Sequence, residues 1–270
     1  MMSTTQLKPY AVAAYNTAKS SENKIHDDTV ARRFGFQGGL VPGVDVYAYM
    51  AHLPVERWGR AWLERGTAEC RFLKPVYEGN TAVITAEPSN GGIALEVTSQ
   101  GEVCATGTAA LPAVSPAAPA PESFADATPP EHRPPADETS LAVGTTLATR
   151  PLLVTPEFAA EYLHNVRETD PRYAAEGLAH PGLILRIGNW ALTHNVVLGP
   201  WIHVGSSIEN FAAARVADTL SARARVAANY EKKGHRFVEL DVLVLANART
   251  PIARIAHTAI YRPRQLAGNA

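Results

Sequence analysis

Residues 21–50, SENKIHDDTVARRFGFQGGLVPGVDVYAYM, decide how the rest of the chain is read. The stretch opens with a polar turn holding Asn23 and His26, runs through a short amphipathic segment at 28–34, and crosses the glycine pair Gly38 and Gly39. An apolar helix then begins. Pro42 suits the first turn of that helix, and Gly43 lets a backbone or ligand approach closely, so the free N–H groups there can hold partial negative charge. An imidazole followed by a helix start suits acyl chemistry.

Working outward, Val44, Tyr47, Ala48, Ala51 and His52 recur near helical spacing. Pro54 is expected to close this helix, and a second short one at 55–65 ends at Gly66. The period then shifts to two. Segments 67–73, 81–87, 93–99 and 103–111 alternate or run apolar, with turns at Glu78-Gly79-Asn80, Asn90-Gly91-Gly92 and Gln100-Gly101, and read as antiparallel hairpins. A Pro/Ala-rich linker, PAVSPAAPAPESFADATPPEHRPPADE, follows and nucleates neither a core nor a long helix.

Beyond the linker the order recurs. A strand at 145–153 leads to Thr155, which caps a helix at 156–166, and RETDPRYAAEGLAHPGLILRIGNWAL restates the first half. Gly182 in His180-Pro181-Gly182 parallels Gly43 in Val41-Pro42-Gly43, and Phe211 stands as far beyond Gly182 as Phe72 does beyond Gly43. Strands at 218–230, 237–246 and 252–262 complete a second meander. The expected fold is α+β, one unit used twice: domains at 1–112 and 145–265, joined by a linker at 113–144.

The opening stretch resembles the signature of the MaoC-like, or (R)-specific enoyl-CoA hydratase, family, whose pattern D-x-N-P-x-H precedes a glycine entry into a long central helix. Ser21-Glu22-Asn23-Lys24-Ile25-His26 keeps the Asn and the His, and Gly43 matches the helix entry. Ser21 stands where the family has its catalytic Asp, and Lys24 where it has Pro. The resemblance implies a double hotdog, in which each antiparallel sheet wraps a central helix and the halves pack as two subunits do in single-domain relatives. It also implies hydratase or dehydratase chemistry on an enoyl or 3-hydroxyacyl thioester carried by CoA or a similar group.

That chemistry needs a base near neutral pKa, a second proton-handling group and donors aimed at a developing enolate oxygen. His26 fits the base, with an exposed loop histidine as the alternative role. Asn23 either orients the imidazole or pins the loop in an Asx turn. Gly43 and neighbouring N–H groups are the oxyanion candidate or a close-packing point. Ser21 offers only a hydrogen bond. Asp45, one turn into the helix, is the favoured replacement carboxylate; Glu168, which aligns with the missing Asp from the second half, is next, and Glu22 third. Asp170-Pro171 and His180 read as remnants of a degenerate second site, and Trp190, Trp201 and Phe211 as candidate pocket walls. Arg71, Lys74, Lys232, Lys233 and Arg236 are available for carrier phosphates, and nothing in their pattern separates them from ordinary surface charges.

Two other functions fit the same pattern. An acidic residue shortly after a glycine pair in a central helix also suits thioester hydrolysis, and loss of the Asp suits a non-catalytic acyl-binding protein. The formal net charge of -1 gives no general attraction to nucleic acid or an anionic membrane, and no run reaches the length of a membrane span. A cytoplasmic protein is expected, with a small-molecule thioester as partner, no cofactor beyond it, no metal, and a homodimer as a compatible assembly. Cys70 and Cys104, the 2 cysteines, are too few for a disulfide scaffold and read as buried strand residues.

Overall fold

The computed structural model describes residues 7–19 and 21–264. The first half runs β1 (Tyr10–Ala13), a 3₁₀ turn (Lys24–His26), α1 (Asp28–Arg33), α2 (Gly43–Trp58), α3 (Arg60–Arg65), β2 (Thr67–Phe72), β3 (Thr81–Ser89), β4 (Gly92–Ser99) and β5 (Glu102–Ala110). The second runs β6 (Thr146–Ala148), β7 (Leu152–Leu153), α4 (Pro156–Asn165), α5 (Arg172–Glu176), α6 (Pro181–Thr193), β8 (Ile202–Asn210), β9 (Thr219–Lys232), β10 (His235–Ala246) and β11 (Thr250–Arg262). No helix among the described residues is long and apolar enough to cross a membrane.

Strand order shows the repeat. The first half is ordered β1-β3-β4-β5-β2, and the second, read from the opposite edge, β6-β9-β10-β11-β8, with β7 beside β9. Antiparallel pairing of β2 with β8, Cys70 opposite Ser206, joins the halves into one 11-stranded sheet. The result is a double hotdog. Its two central helices, α2 and α6, occupy the concave side and pack on each other.

The sequence accounts for these helices. In α2 every residue from Val44 to Ala51 is buried, the pattern of a helix enclosed on all sides. A Cβ on Gly182 would stand 2.5 Å from Ala48 Cβ, so only glycine lets α6 approach α2 this closely. Thr155 caps α4 by accepting the Phe158 N–H at 3.2 Å.

Two expectations need correction. Helix α2 does not stop at Pro54 but continues to Trp58, where Gly59 takes φ +61°. Burial of Leu53, Pro54 and Val55 in the core offsets the backbone bond that proline cannot donate, a loss of about 3 kcal/mol in an exposed helix. Phe211 is not the structural counterpart of Phe72. Phe72 packs against the main core beside Gly43, whereas Phe211 follows β8 and joins Phe124, Leu243 and Leu245 on the outer face of the sheet. Side chains alternate faces along a strand, and Leu243 and Leu245 alternate with the inward Val242 and Val244.

The Pro/Ala-rich stretch is irregular but anchored. Phe124 covers the outer face, Leu141 is fully buried, and Arg223 donates to the Pro121 and Phe124 carbonyls at 3.0 and 3.3 Å.

Candidate active site

His26 is held from three sides. Ile25, buried beside it, anchors the 3₁₀ turn, and Asn23 caps the turn by accepting the Ile25 N–H at 3.4 Å. The His26 Nδ1 lies 2.6 Å from the Leu40 carbonyl oxygen, which can only accept, so Nδ1 carries the proton and Nε2 keeps its lone pair. Asn23 Nδ2 stands 3.4 Å from that Nε2. The same amide exchanges hydrogen bonds with the second half: its Nδ2 donates to the Trp201 carbonyl at 3.0 Å and its Oδ1 accepts the Trp201 N–H at 3.2 Å. Asn23 thus orients the imidazole and fastens the two halves together.

Burial holds the His26 imidazole below the usual histidine range, against smaller upward pulls from the Leu40 carbonyl and the Asp45 charge. It is therefore neutral at pH 7, with a lone pair on Nε2 that faces only the long contact from Asn23.

The start of α2 supplies donors. Pro42 provides no side-chain cap, and the Asp45 and Val46 N–H groups turn back to the Pro42 carbonyl at 2.9 and 3.1 Å. The Gly43 and Val44 N–H groups have no partner among the described residues. His26 and Gly43 border one largely apolar cavity of about 270 Å³, walled by Phe72 and Val46 from the first half and by Trp201 and Ile260 from the second. A second cleft of about 550 Å³, with a mixed polar and apolar lining, adjoins it and shares His26, Asn23, Pro42, Asn189 and Trp201 with it. Arg133, Arg150, Arg186 and His194 line that cleft.

The second half lacks the open helix start. His180 Nδ1 accepts the Gly182 N–H at 3.0 Å, so the N-terminus of α6 is capped by its own imidazole. His180 Nε2 and His52 Nδ1 both bind Glu168, at 3.2 and 2.8 Å. The backbone N–H groups of Thr169 and Asp170 also donate to Glu168, each at 2.7 Å. Burial pushes this carboxyl up, but the hydrogen bonds from His180 and His52 prevail and hold it far below the usual carboxylate range.

The structure therefore brings Asn23 and Gly43 to His26 and leaves the candidate carboxylates elsewhere. Asp45 is fully buried, accepts Thr17 Oγ1–H at 2.6 Å and pairs with Arg186 of α6, with no hydrogen bond to His26. Glu168 borders neither cavity. Glu22, at the cleft rim, pairs with Arg133 at 2.9 Å. Ser21 also lines the cleft, but its hydroxyl donates to the Asn23 carbonyl at 3.3 Å, a local turn contact. Trp201 is a wall of the apolar cavity and Trp190 of the cleft, while Phe211 reaches neither. Of the basic residues expected at a mouth, Lys74 pairs with Glu102 at the cavity rim and Arg236 with Glu138. Arg71, Lys232 and Lys233 border a separate hollow.

Sequence reading missed Arg133, Arg186, Asn189 and His203. Arg133 lies in the linker and reaches the site only because its guanidinium donates to the Thr193 carbonyl at 2.6 Å. For His203 the sequence carried little signal, because it shares the buried positions of its strand with Ser206, Ile208 and Asn210, a mixed set.

Solved structures with the same architecture were found by comparison of folds. A MaoC domain protein dehydratase from Chloroflexus aurantiacus superposes with a TM-score of 0.61 at 11% identity, over 96% of this chain and 94% of that one. A conserved double-hotdog protein of Mycobacterium tuberculosis gives 0.60 at 15% identity, over 94% and 96%. An N-terminal dehydratase from the difficidin assembly line gives 0.54 at 12%, over 96% and 95%. Neither a sequence-family model nor a curated protein sequence matches the chain. The chain thus has the double-hotdog fold of MaoC-like dehydratases.

Proposed function

We propose that this protein hydrates an enoyl thioester, or dehydrates the corresponding hydroxyacyl thioester, at His26. The observation that carries this reading is the His26 tautomer: Nδ1 committed to the Leu40 carbonyl and Nε2 left as an acceptor, met by Asn23 Nδ2 at 3.4 Å, on a residue that lines an apolar cavity also holding the uncapped start of α2. Among the described residues no carboxylate is hydrogen-bonded to the imidazole. His26 therefore takes the proton from water as the water oxygen bonds to the β-carbon, and the resulting imidazolium returns that proton to the α-carbon. One water adds, and the enzyme ends as it began. The Gly43 and Val44 N–H groups bind the thioester oxygen while it carries enolate charge. Asn23, tied to Trp201, holds the imidazole in place.

The adjoining cleft suits the rest of such a substrate. Arg150, exposed and in no ion pair among the described residues, offers that cleft a positive charge beside the Arg133–Glu22 pair, which fits a phosphate of CoA or of a carrier's phosphopantetheine arm. Hydrolysis of the thioester would draw on Asp45, whose oxygens are engaged by Arg186 and Thr17. Incubation with crotonyl-CoA separates the readings. Appearance of hydroxybutyryl-CoA supports hydration, release of free CoA supports hydrolysis, and binding without turnover supports an acyl-binding protein.

A further inference from the structure

Two residues that line the apolar cavity carry a polar atom with nothing to bind. His203, 7% exposed, lines this cavity and its buried Nδ1 has no hydrogen-bond partner among the described residues; the side-chain oxygen of Asn189 on α6, another lining residue, is likewise buried and unpaired. His203 sits at the α2 start: a Cβ on Gly43 would come within 3.2 Å of its Nδ1. Burying polar groups without partners costs stability, and two of them on residues that line one cavity point to a ligand that completes them.

The other side of His203 is fully engaged. Its Nε2 lies 2.9 Å from Ser206 Oγ, which lies 3.1 Å from His257 Nδ1, and the two rings stand 4.2 Å apart. A single hydroxyl proton bridges two imidazoles, so Ser206 donates to one and accepts from the other. When Ser206 donates to His257, His203 Nδ1 is an acceptor; when it donates to His203, Nδ1 carries hydrogen and donates. Burial lowers the pKa of both imidazoles, His203 well below the histidine range and His257 to about 3, so the pair is neutral. A neutral chain cannot give up a proton to the α-carbon without leaving an imidazolate. Hydrogen bonding, in either sense, is what it offers.

We infer that His203, backed by Ser206 and His257 and joined by Asn189, makes this cavity selective for an acyl group that carries its own oxygen function, a keto or hydroxyl group beyond the thioester carbonyl, over a plain alkyl chain. This rests on the acyl-thioester reading above. A plain chain leaves His203 Nδ1 and the Asn189 oxygen without partners, whereas an oxygen placed beside them supplies the missing bonds. Sites built to hydrogen-bond a substrate group reject analogues that lack it far more strongly than apolar pockets reject an extra methylene.

The test is calorimetric titration with hexanoyl-CoA and with hexanoyl-CoA bearing one keto oxygen, moved in turn along the carbons beyond the thioester carbonyl. At least one keto isomer should bind about 10-fold or more tighter than hexanoyl-CoA. His203→Leu should abolish that advantage while still binding hexanoyl-CoA. If His203→Leu does not fold, Ser206→Ala, which breaks the chain but keeps the ring, should reduce the advantage. Equal affinity for all isomers in the wild-type protein, or an advantage that survives His203→Leu, overturns the inference and leaves the acyl-thioester reading standing. Failure of the wild-type protein to bind any of these thioesters overturns both.

Discussion

Asp45 on α2 is joined to Arg186 on α6 by an ion pair across the seam between the two halves, and the Thr17 hydroxyl bridges the pair, donating to the Asp45 carboxylate at 2.6 Å and accepting from the Arg186 guanidinium at 3.1 Å. Arg186 also lies over the Tyr162 ring, 4.8 Å from its centroid. A carboxylate that looks like the missing catalytic acid in the sequence is thus occupied in holding the domains together.

Asp45→Asn should therefore act on stability first. It leaves the Arg186 guanidinium unpaired in a largely buried setting, a loss of about 3–5 kcal/mol by analogy with broken buried pairs. Denaturant unfolding should show it, and the protein that remains folded should retain hydration activity. Replacing both partners by apolar residues, Asp45→Leu with Arg186→Met, should be less destabilising than Asp45→Asn alone.

The two matched glycines should respond differently. Gly182→Ala drives a Cβ to 2.5 Å from Ala48 Cβ and Tyr162 Oη, so overpacking at the α2–α6 crossing should cost about 1–3 kcal/mol of stability. A Cβ at Gly43 meets the Phe72 ring at 3.0 Å and His203 at 3.2 Å, on the cavity wall. Gly43→Ala should raise KM for a short enoyl thioester more than it lowers the melting temperature. A thermal melt beside steady-state kinetics distinguishes the two.

Much of this architecture was legible from the chain. The Thr155 cap, the change of period from helix to strand, the glycine turns and the Val41-Pro42-Gly43 to His180-Pro181-Gly182 correspondence are local signals, and local signals survive folding. Helix α2 running through Pro54 was not legible, because burial from distant strands outweighs a local breaker. Nor was the position of Phe211: equal spacing along the chain says nothing about which face of a sheet a residue takes. His26 with Asn23 and Gly43 could be read from one continuous stretch. The fate of Asp45 and Glu168 could not, since it is decided by Arg186, His52 and His180, partners remote in sequence.

Stability should fall as the medium becomes acidic, because buried neutral imidazoles resist protonation. His257 has its folded pKa lowered from 6.5 to about 3, so the unfolded chain binds a proton there that the folded chain does not throughout that interval. Its contribution is complete above 6.5 and is lost as pH falls toward about 3, with a slope near 1.4 kcal/mol per pH unit for one such group. His257→Leu should flatten the dependence of unfolding free energy on pH in that window relative to wild type.

Catalysis should show its own acid limb. The His26 lone pair is lost on protonation, and burial sets that event below 6.5, so kcat/KM should be level near neutrality and fall only as pH drops under that value. A pH–rate profile with crotonyl-CoA checks it; an acid limb above 6.5 would point to a different base.

On this mechanism His26 alone takes and returns the proton, with no carboxylate partner. Hydration of crotonyl-CoA by wild type, His26→Ala, Asp45→Asn and Glu168→Gln, each assayed well below its melting temperature, tests this most directly. His26→Ala should lower kcat/KM by about 10²–10⁴-fold while both carboxylate variants stay within a few-fold of wild type. Wild-type turnover in His26→Ala, or a loss in Asp45→Asn or Glu168→Gln as deep as that in His26→Ala, would contradict it.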